Sequence, residues 1–277
     1  VLLTAKTDDP SKAAGIKKGA HAYVGKPFDE LELASTIDNL FQLKKGEEKI
    51  KELNRNLTEQ VLKRFLPAKL VNDIVDGVKT LDDSPRLMDV TILFSDLADF
   101  TKKSEEYGAK KMSLLLNKYL DIMTETIFDC GGVVDKFMGD GIMVIFGAPE
   151  EDRPKDQVEK SVKCAFAMQE SLERLNREWN SEGIESFKMR IGIHHGRGLV
   201  GTFGGKRRTE FTVLGPIVNM ASRIERLAPP GEIFFSGSVR DLIAAEYDWD
   251  KAGVFSLRGI GDSMLFKLKN PKEKKAA

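Results

Sequence analysis

Asp96 and Asp140 are the residues of this chain whose types and settings best suit chemistry. Asp96 follows Val90-Thr-Ile-Leu-Phe-Ser95, a run of apolar and β-branched residues that predicts a largely buried strand. A carboxylate at the end of such a strand is costly unless it is paired, so its presence points to a task. Asp140 lies in Val133-Val-Asp-Lys-Phe-Met-Gly-Asp-Gly-Ile-Met-Val-Ile-Phe146, which predicts strand, tight turn, strand, with the Asp in the turn. Alone, such a Gly-Asp-Gly turn favours Asp for backbone reasons. Two carboxylates at neighbouring strand ends, however, form a natural holder for Mg2+ and nucleotide phosphates. A second pair, Asn219 and Arg223, is spaced four apart in a segment predicted helical over 216–228, which places both on one face. The plainer reading of that pair is two solvent-facing polar residues, but Val218, Met220 and Ala221 embed them in an apolar segment.

These residues must be positioned by a chain of 277 residues, 41% hydrophobic and 31% charged, enough for one large domain or one ordinary domain with appendages. Lys plus Arg and Asp plus Glu are equal at 43 each, which gives no reason to expect nucleic acid or an acidic membrane as the main partner. Cys130 and Cys164 have no motif spacing and fit a reducing cytoplasm better than a disulfide scaffold. No apolar run is long enough to span a bilayer, and no signal peptide is visible. The chain opens at Val1 without Met, as a piece of a longer protein would.

Three sections and a tail are expected. Residues 1–41 alternate strand and helix: Val1–Thr4, Asp9–Gly19, Ala22–Val24, then Asp29–Leu40 with Asp29 as a helix cap. Four such elements are too few for a doubly wound domain of ordinary size. Residues 42–84 form a charged helical linker. Ile50, Leu53, Leu57 and Val61 make a short apolar stripe that suits either a packed helix or a parallel dimerising coiled coil. Phe65-Leu-Pro67 breaks it, and Leu70, Ile74 and Val75 begin a second, short helix. Residues 85–270 are the main domain: strand 88–95, helix about 104–128, strands 132–137 and 141–147, helix 155–179, strands 187–195, 198–203 and 209–214, helix 216–228, strand 231–236, helix 238–245 and a closing pair around 253–269. The order βαββαβ predicts an α+β, ferredoxin-like core. Residues 271–277 are a solvated tail.

The main domain resembles the class III nucleotidyl cyclase catalytic domain. The matching runs are Phe94-Ser-Asp-Leu-Ala-Asp-Phe-Thr101, Asp135-Lys-Phe-Met-Gly-Asp140, Met189-Arg-Ile-Gly-Ile-His-His-Gly196 and Phe211-Thr-Val-Leu-Gly-Pro-Ile-Val-Asn-Met-Ala-Ser-Arg-Ile-Glu225. The likeness is greatest to cyanobacterial-type cyclases and their soluble, bicarbonate-responsive animal relatives, which carry Thr where many others have Asp before Gly-x-x-Val-Asn. The first section resembles the C-terminal part of a response-regulator receiver domain, through Leu2-Leu-Thr-Ala5 and Gly19-Ala-His-Ala-Tyr-Val-Gly-Lys-Pro-Phe28. Its phospho-acceptor Asp would lie upstream of Val1.

The resemblance implies an adenylate cyclase, in which the ribose 3′-OH of ATP attacks the α-phosphorus to give 3′,5′-cyclic AMP and pyrophosphate. It implies two Mg2+ or Mn2+ ions per site, held by Asp96, Asp140 and the carbonyl of Leu97. Backbone N–H groups at the following helix start, Phe100 and Thr101, suit the phosphates. Asn219 orients the ribose and Arg223 stabilises the transferring phosphoryl group. Lys136 and Thr212 select the base, where a guanylate cyclase would be expected to show Glu and Cys. Arg258 matches a phosphate-binding position usually held by Lys. Each site is shared between two chains of a head-to-tail homodimer, one giving the aspartates and the other the base-selecting pair, Asn219 and Arg223. Upstream sensor or receiver modules and bicarbonate are the implied regulators. The alternatives are a guanylate cyclase and a catalytically degenerate nucleotide-binding signalling module.

Three further features need a reading. Asp99 stands where the family usually has Gly and is expected to cap the next helix. His194 and His195 are adjacent on a strand, so one is expected buried and the other exposed, rather than both binding a metal. Lys206-Arg-Arg208 is expected to be a solvated hairpin tip.

Overall fold

The structure, a computed structural model, describes residues 2–4, 23–27, 29–62, 68–78, 84–205, 208–243, 247–257, 259 and 261–271. Outside these residues lie the expected helix Asp9–Gly19, the break Phe65–Pro67, the tip residues Lys206 and Arg207, and Arg258. The chain divides into two compact units, residues 1–64 and 65–277.

In the first unit β1 (Leu2–Thr4) pairs in parallel with β2 (Tyr23–Gly25). One helix, α1 (Glu30–Leu62), runs through residues 41 and 42, where the sequence suggested a boundary. Asp29 caps it as expected: its Oδ1 accepts from the Leu31 N–H at 3.0 Å. Leu31, Ile37, Phe41, Leu43, Ile50, Leu53 and Leu57 are all exposed along it.

The second unit opens with α2 (Ala68–Val75), where Val71 is buried. The central strand β3 (Arg86–Leu97) is buried on both faces from Val90 to Ser95. The expected helix 104–128 begins earlier and is broken at Gly108, a poor helix former, into α3 (Phe100–Tyr107) and α4 (Ala109–Asp129). Met112, Leu115, Tyr119, Met123 and Ile127 form the buried face of α4, as their spacing predicts. Then follow β4 (Val133–Met138), β5 (Gly141–Phe146), α5 (Pro154–Ser181), β6 (Met189–Gly205), β7 (Arg208–Leu214), α6 (Pro216–Leu227), β8 (Ile233–Ser236), α7 (Gly237–Ile243), β9 (Tyr247–Leu257) and β10 (Gly261–Pro271).

The sheet order is β4-β5-β3-β6-β8-β10-β9, with β7 also paired to β6. In β4-β5-β3-β6 each neighbouring pair is antiparallel, the arrangement a βαββαβ core predicts. Strands expected at 187–195 and 198–203 are a single long strand, β6, whose pairing with β3 continues through Gly196 and Gly198. One face of the sheet packs under α4, α5 and α7 in a core that includes Phe146, Met168, Trp179 and Phe235. The other carries α6 and β7 over Val90, Ile92, Met143 and Ile145. Both cysteines are free thiols. Among the described residues no helix is long and apolar enough to cross a membrane.

Candidate active site

The antiparallel ladders bring Asp96 and Asp140 together. Ser95 lies opposite Ile142 across β3 and β5, so Asp96 emerges beside the β4–β5 turn. A Cβ placed on Gly141 would stand 3.7 Å from Asp96 Oδ1. Asp140 Oδ2 accepts the Leu97 N–H at 3.0 Å, tying the turn to the end of β3. Both are partly exposed. Burial, and next the charge of Asp96, push Asp140 up to about 6. Beneath them Tyr119 is fully buried, and that burial raises its hydroxyl well above the ordinary value, so it stays neutral.

Two charged residues without an assigned role join the pair. Arg190 is the register partner of Asp96 on β6, and its Nη2 donates to Asp96 Oδ2 at 2.6 Å. Its Nε lies 3.7 Å from Glu225 Oε1 on α6. Glu225 is held up to about 7, by burial first and then by Asp96. The helix can come this close because residue 192 is Gly: a Cβ there would sit 2.2 Å from the Glu225 backbone N.

Lys136 and Thr212 form a second grouping. Thr212 Oγ1 donates to Asp135 Oδ2 at 3.1 Å, and Lys136 Nζ lies 3.4 Å from the same oxygen and 3.5 Å from Glu210 Oε2. Asn219 and Arg223 form a third, one turn apart on α6. Neither belongs to the buried face of that helix, which is formed by Ile217, Met220, Ala221, Ile224 and Glu225. Phe100 packs against the core at the start of α3, and Thr101 beside it is exposed.

Asp99 does not cap α3. It occupies the N-cap position in a left-handed conformation, φ 60° and ψ 19°, and its side chain makes no capping bond. That backbone suits Gly best, and Asp tolerates it better than most residues. The histidines also differ from expectation: both are half-buried, because both faces of the sheet are covered. His194 Nδ1 pairs with Ser236 Oγ at 2.8 Å and His195 Nδ1 with Thr91 Oγ1 at 3.0 Å, so both are satisfied within the fold. A polar cavity of about 470 Å3 lined by Arg86, Pro149 and Glu150–Asp152 holds none of these groups.

Residues 83–270 match the family model of the adenylate and guanylate cyclase catalytic domain. The chain belongs to this family. It is 33% identical to an adenylate cyclase of Anabaena cylindrica over 75% of this chain and 40% of that one. It is 32% identical to adenylate cyclase 1 of Rhizobium meliloti over 58% of this chain and 24% of that one. The chain thus spans less than half the length of these curated relatives. Among solved structures, the adenylyl cyclase CyaB from P. aeruginosa superposes with a TM-score of 0.66 at 31% identity, covering 70% of this chain and 99% of that one. The guanylyl cyclase Cya2 superposes equally well, with a TM-score of 0.66 at 31% identity, covering 69% and 97%. The likeness therefore establishes a cyclase domain and leaves the purine to the site itself.

Among the described residues no group of three or more His, Cys, Asp or Glu is arranged as a metal site. What the cyclase domain offers is two carboxylates and the Leu97 carbonyl. Burial first, and then the Asp96 charge, raise Asp140, and an all-oxygen set of this kind fits Mg2+ or Mn2+.

Proposed function

We propose that this chain is an adenylate cyclase that converts ATP to 3′,5′-cyclic AMP and pyrophosphate. The observation that carries the reading is the convergence of Asp96, Asp140 and the Leu97 peptide at one end of β3 in a cyclase fold. In the reaction the 3′-oxygen forms a bond to the α-phosphorus, the bond to the pyrophosphate oxygen breaks, and the 3′-OH proton is lost.

Asp96, Asp140 and the Leu97 carbonyl would hold two divalent ions, which supply activation of the 3′-OH and charge neutralisation on the triphosphate. Arg190 neutralises Asp96 without nucleotide. With Asp96 taken up by the ions, the Arg190 guanidinium would be released toward the phosphates. Arg223 meets the phosphoryl oxygens with its donor fork, and Asn219 fixes the ribose. Because these two lie outside the buried face of α6, they are read as serving the site of a second copy in a head-to-tail homodimer. Lys136 and Thr212 read the adenine edge in that same shared site.

The exposed apolar residues of α1 support a parallel helical contact between copies, through which an N-terminal receiver module would regulate the domain. A second reading, guanylate cyclase, is favoured by the equal match to Cya2. Turnover of ATP against GTP with Mg2+ or Mn2+ decides between them.

A further inference from the structure

The carboxylate of Asp135 is the buried centre of the Lys136–Thr212 grouping. Its side chain has 0% exposure, against 38% for Lys136. One oxygen, Oδ2, faces both the Thr212 hydroxyl at 3.1 Å and the Lys136 ammonium at 3.4 Å. The other, Oδ1, is buried with no partner among the described residues, leaving the cluster one donor short. Burial opposes the ionised form of Asp135, while the Thr212 bond and Lys136 favour it.

A hydroxyl has one hydrogen and two lone pairs, and an ionised carboxylate only accepts. The Thr212 hydrogen is therefore committed to Asp135, and what remains of that hydroxyl can only accept. Lys136, held by the same oxygen, can only donate. Adenine presents a 6-amino donor beside the N1 acceptor. Guanine and hypoxanthine present the reverse, a 6-oxo acceptor beside an N1–H donor.

We propose that Asp135 is a positioning residue for purine choice, fixing Thr212 as acceptor and Lys136 as adjacent donor so that the site matches adenine and rejects 6-oxopurines. The proposal rests on the adenylate cyclase reading and names how that site chooses its base. Discrimination here comes as much from the mismatch imposed on the wrong purine as from the match to the right one.

The test compares ATP with ITP, whose base differs from adenine only along this edge. The wild-type chain is expected to prefer ATP in kcat/KM. Asp135→Leu leaves the Thr212 hydroxyl no acceptor there, so it can turn outward and donate, and should cut the ATP/ITP ratio by about tenfold or more. The change should appear as a raised KM for ATP with kcat largely kept, since the base lies away from the reacting phosphorus. Should Asp135→Leu fail to fold, Thr212→Val and Thr212→Ser read the same bond: Val should lose the preference and Ser retain it. A ratio unchanged in Asp135→Leu, or equal in the Val and Ser variants, overturns the inference even if total activity falls. Wild-type turnover of neither nucleotide would instead remove the adenylate cyclase reading and this inference with it.

Discussion

Arg190 stands directly across the β3–β6 ladder from Asp96, with 2.6 Å between Nη2 and Oδ2. It is the positive charge that lets Asp96, Asp140 and Glu225 share one neighbourhood. Arg190→Ala should therefore lower cyclase activity by roughly 100-fold, the scale for loss of a charged donor at a developing anion. It should also lower Tm at pH 8 more than at pH 5, where the raised carboxylates Asp140 and Glu225 take up protons. Arg190→Lys keeps the charge but not the fork, and should fall between. Unchanged activity in Arg190→Ala would remove it from the site.

Asp140→Ala and Arg223→Ala chains should each be inactive alone. In an equal mixture, random pairing gives half mixed dimers with one intact site of two, so about a quarter of wild-type activity should return. Capture of one tagged chain, with the other untagged, shows whether mixed dimers form. If they form and remain inactive, the sites are not shared between chains.

Asp99 holds a left-handed backbone without any capping bond. Asp99→Gly relieves that conformation and should alter stability by no more than about 1 kcal/mol, in the stabilising direction, with activity kept. Asp99→Val should destabilise by at least about 1 kcal/mol. Urea midpoints report both. Equal destabilisation by Gly and Val would point to a role for the carboxylate itself.

Burial, with the neighbouring His195 charge, holds His194 down to about 4 from an ordinary 6.5. Between those values the unfolded chain binds a proton that the folded chain refuses. The stability contribution is complete above pH 6.5 and is lost as pH falls through about 4. His195, also lowered by burial, acts in the same sense, and the raised Asp140 and Glu225 in the opposite one. His194→Gln should flatten the fall of Tm between pH 7 and 4.5 relative to wild type. Parallel Tm profiles would show that His194 does not titrate on unfolding.

The aspartates were legible because each breaks a local rule, a carboxylate ending an apolar strand and another in a Gly-flanked turn beside it. Lys136 and Thr212 came only through family likeness, and Asp135, Arg190 and Glu225 were given no role. Their partners lie across ladders or on a helix, and no single segment displays the register that pairs Asp96 with Arg190. A signal did exist: Arg190 is a charge between Met189 and Ile191, and Glu225 falls four residues after the buried Ala221. The fold order is legible from periodicity, but the strands expected at 187–195 and 198–203, with Gly196 between them and Gly198 opening the second, are one strand, β6. At Gly198 the glycine answers a close neighbour, since a Cβ would meet Val213 Cγ1 at 2.4 Å. Glycine marks crowding there, and sequence alone cannot separate that from a turn.

The most direct measurement of the central claim is cyclic nucleotide formation from ATP and from GTP by this chain with Mg2+ or Mn2+, beside Asp96→Ala. The account predicts 3′,5′-cyclic AMP and pyrophosphate in equal amounts from ATP, markedly less product from GTP, and none from Asp96→Ala. Product from GTP in preference to ATP, or equal turnover by Asp96→Ala, would contradict it.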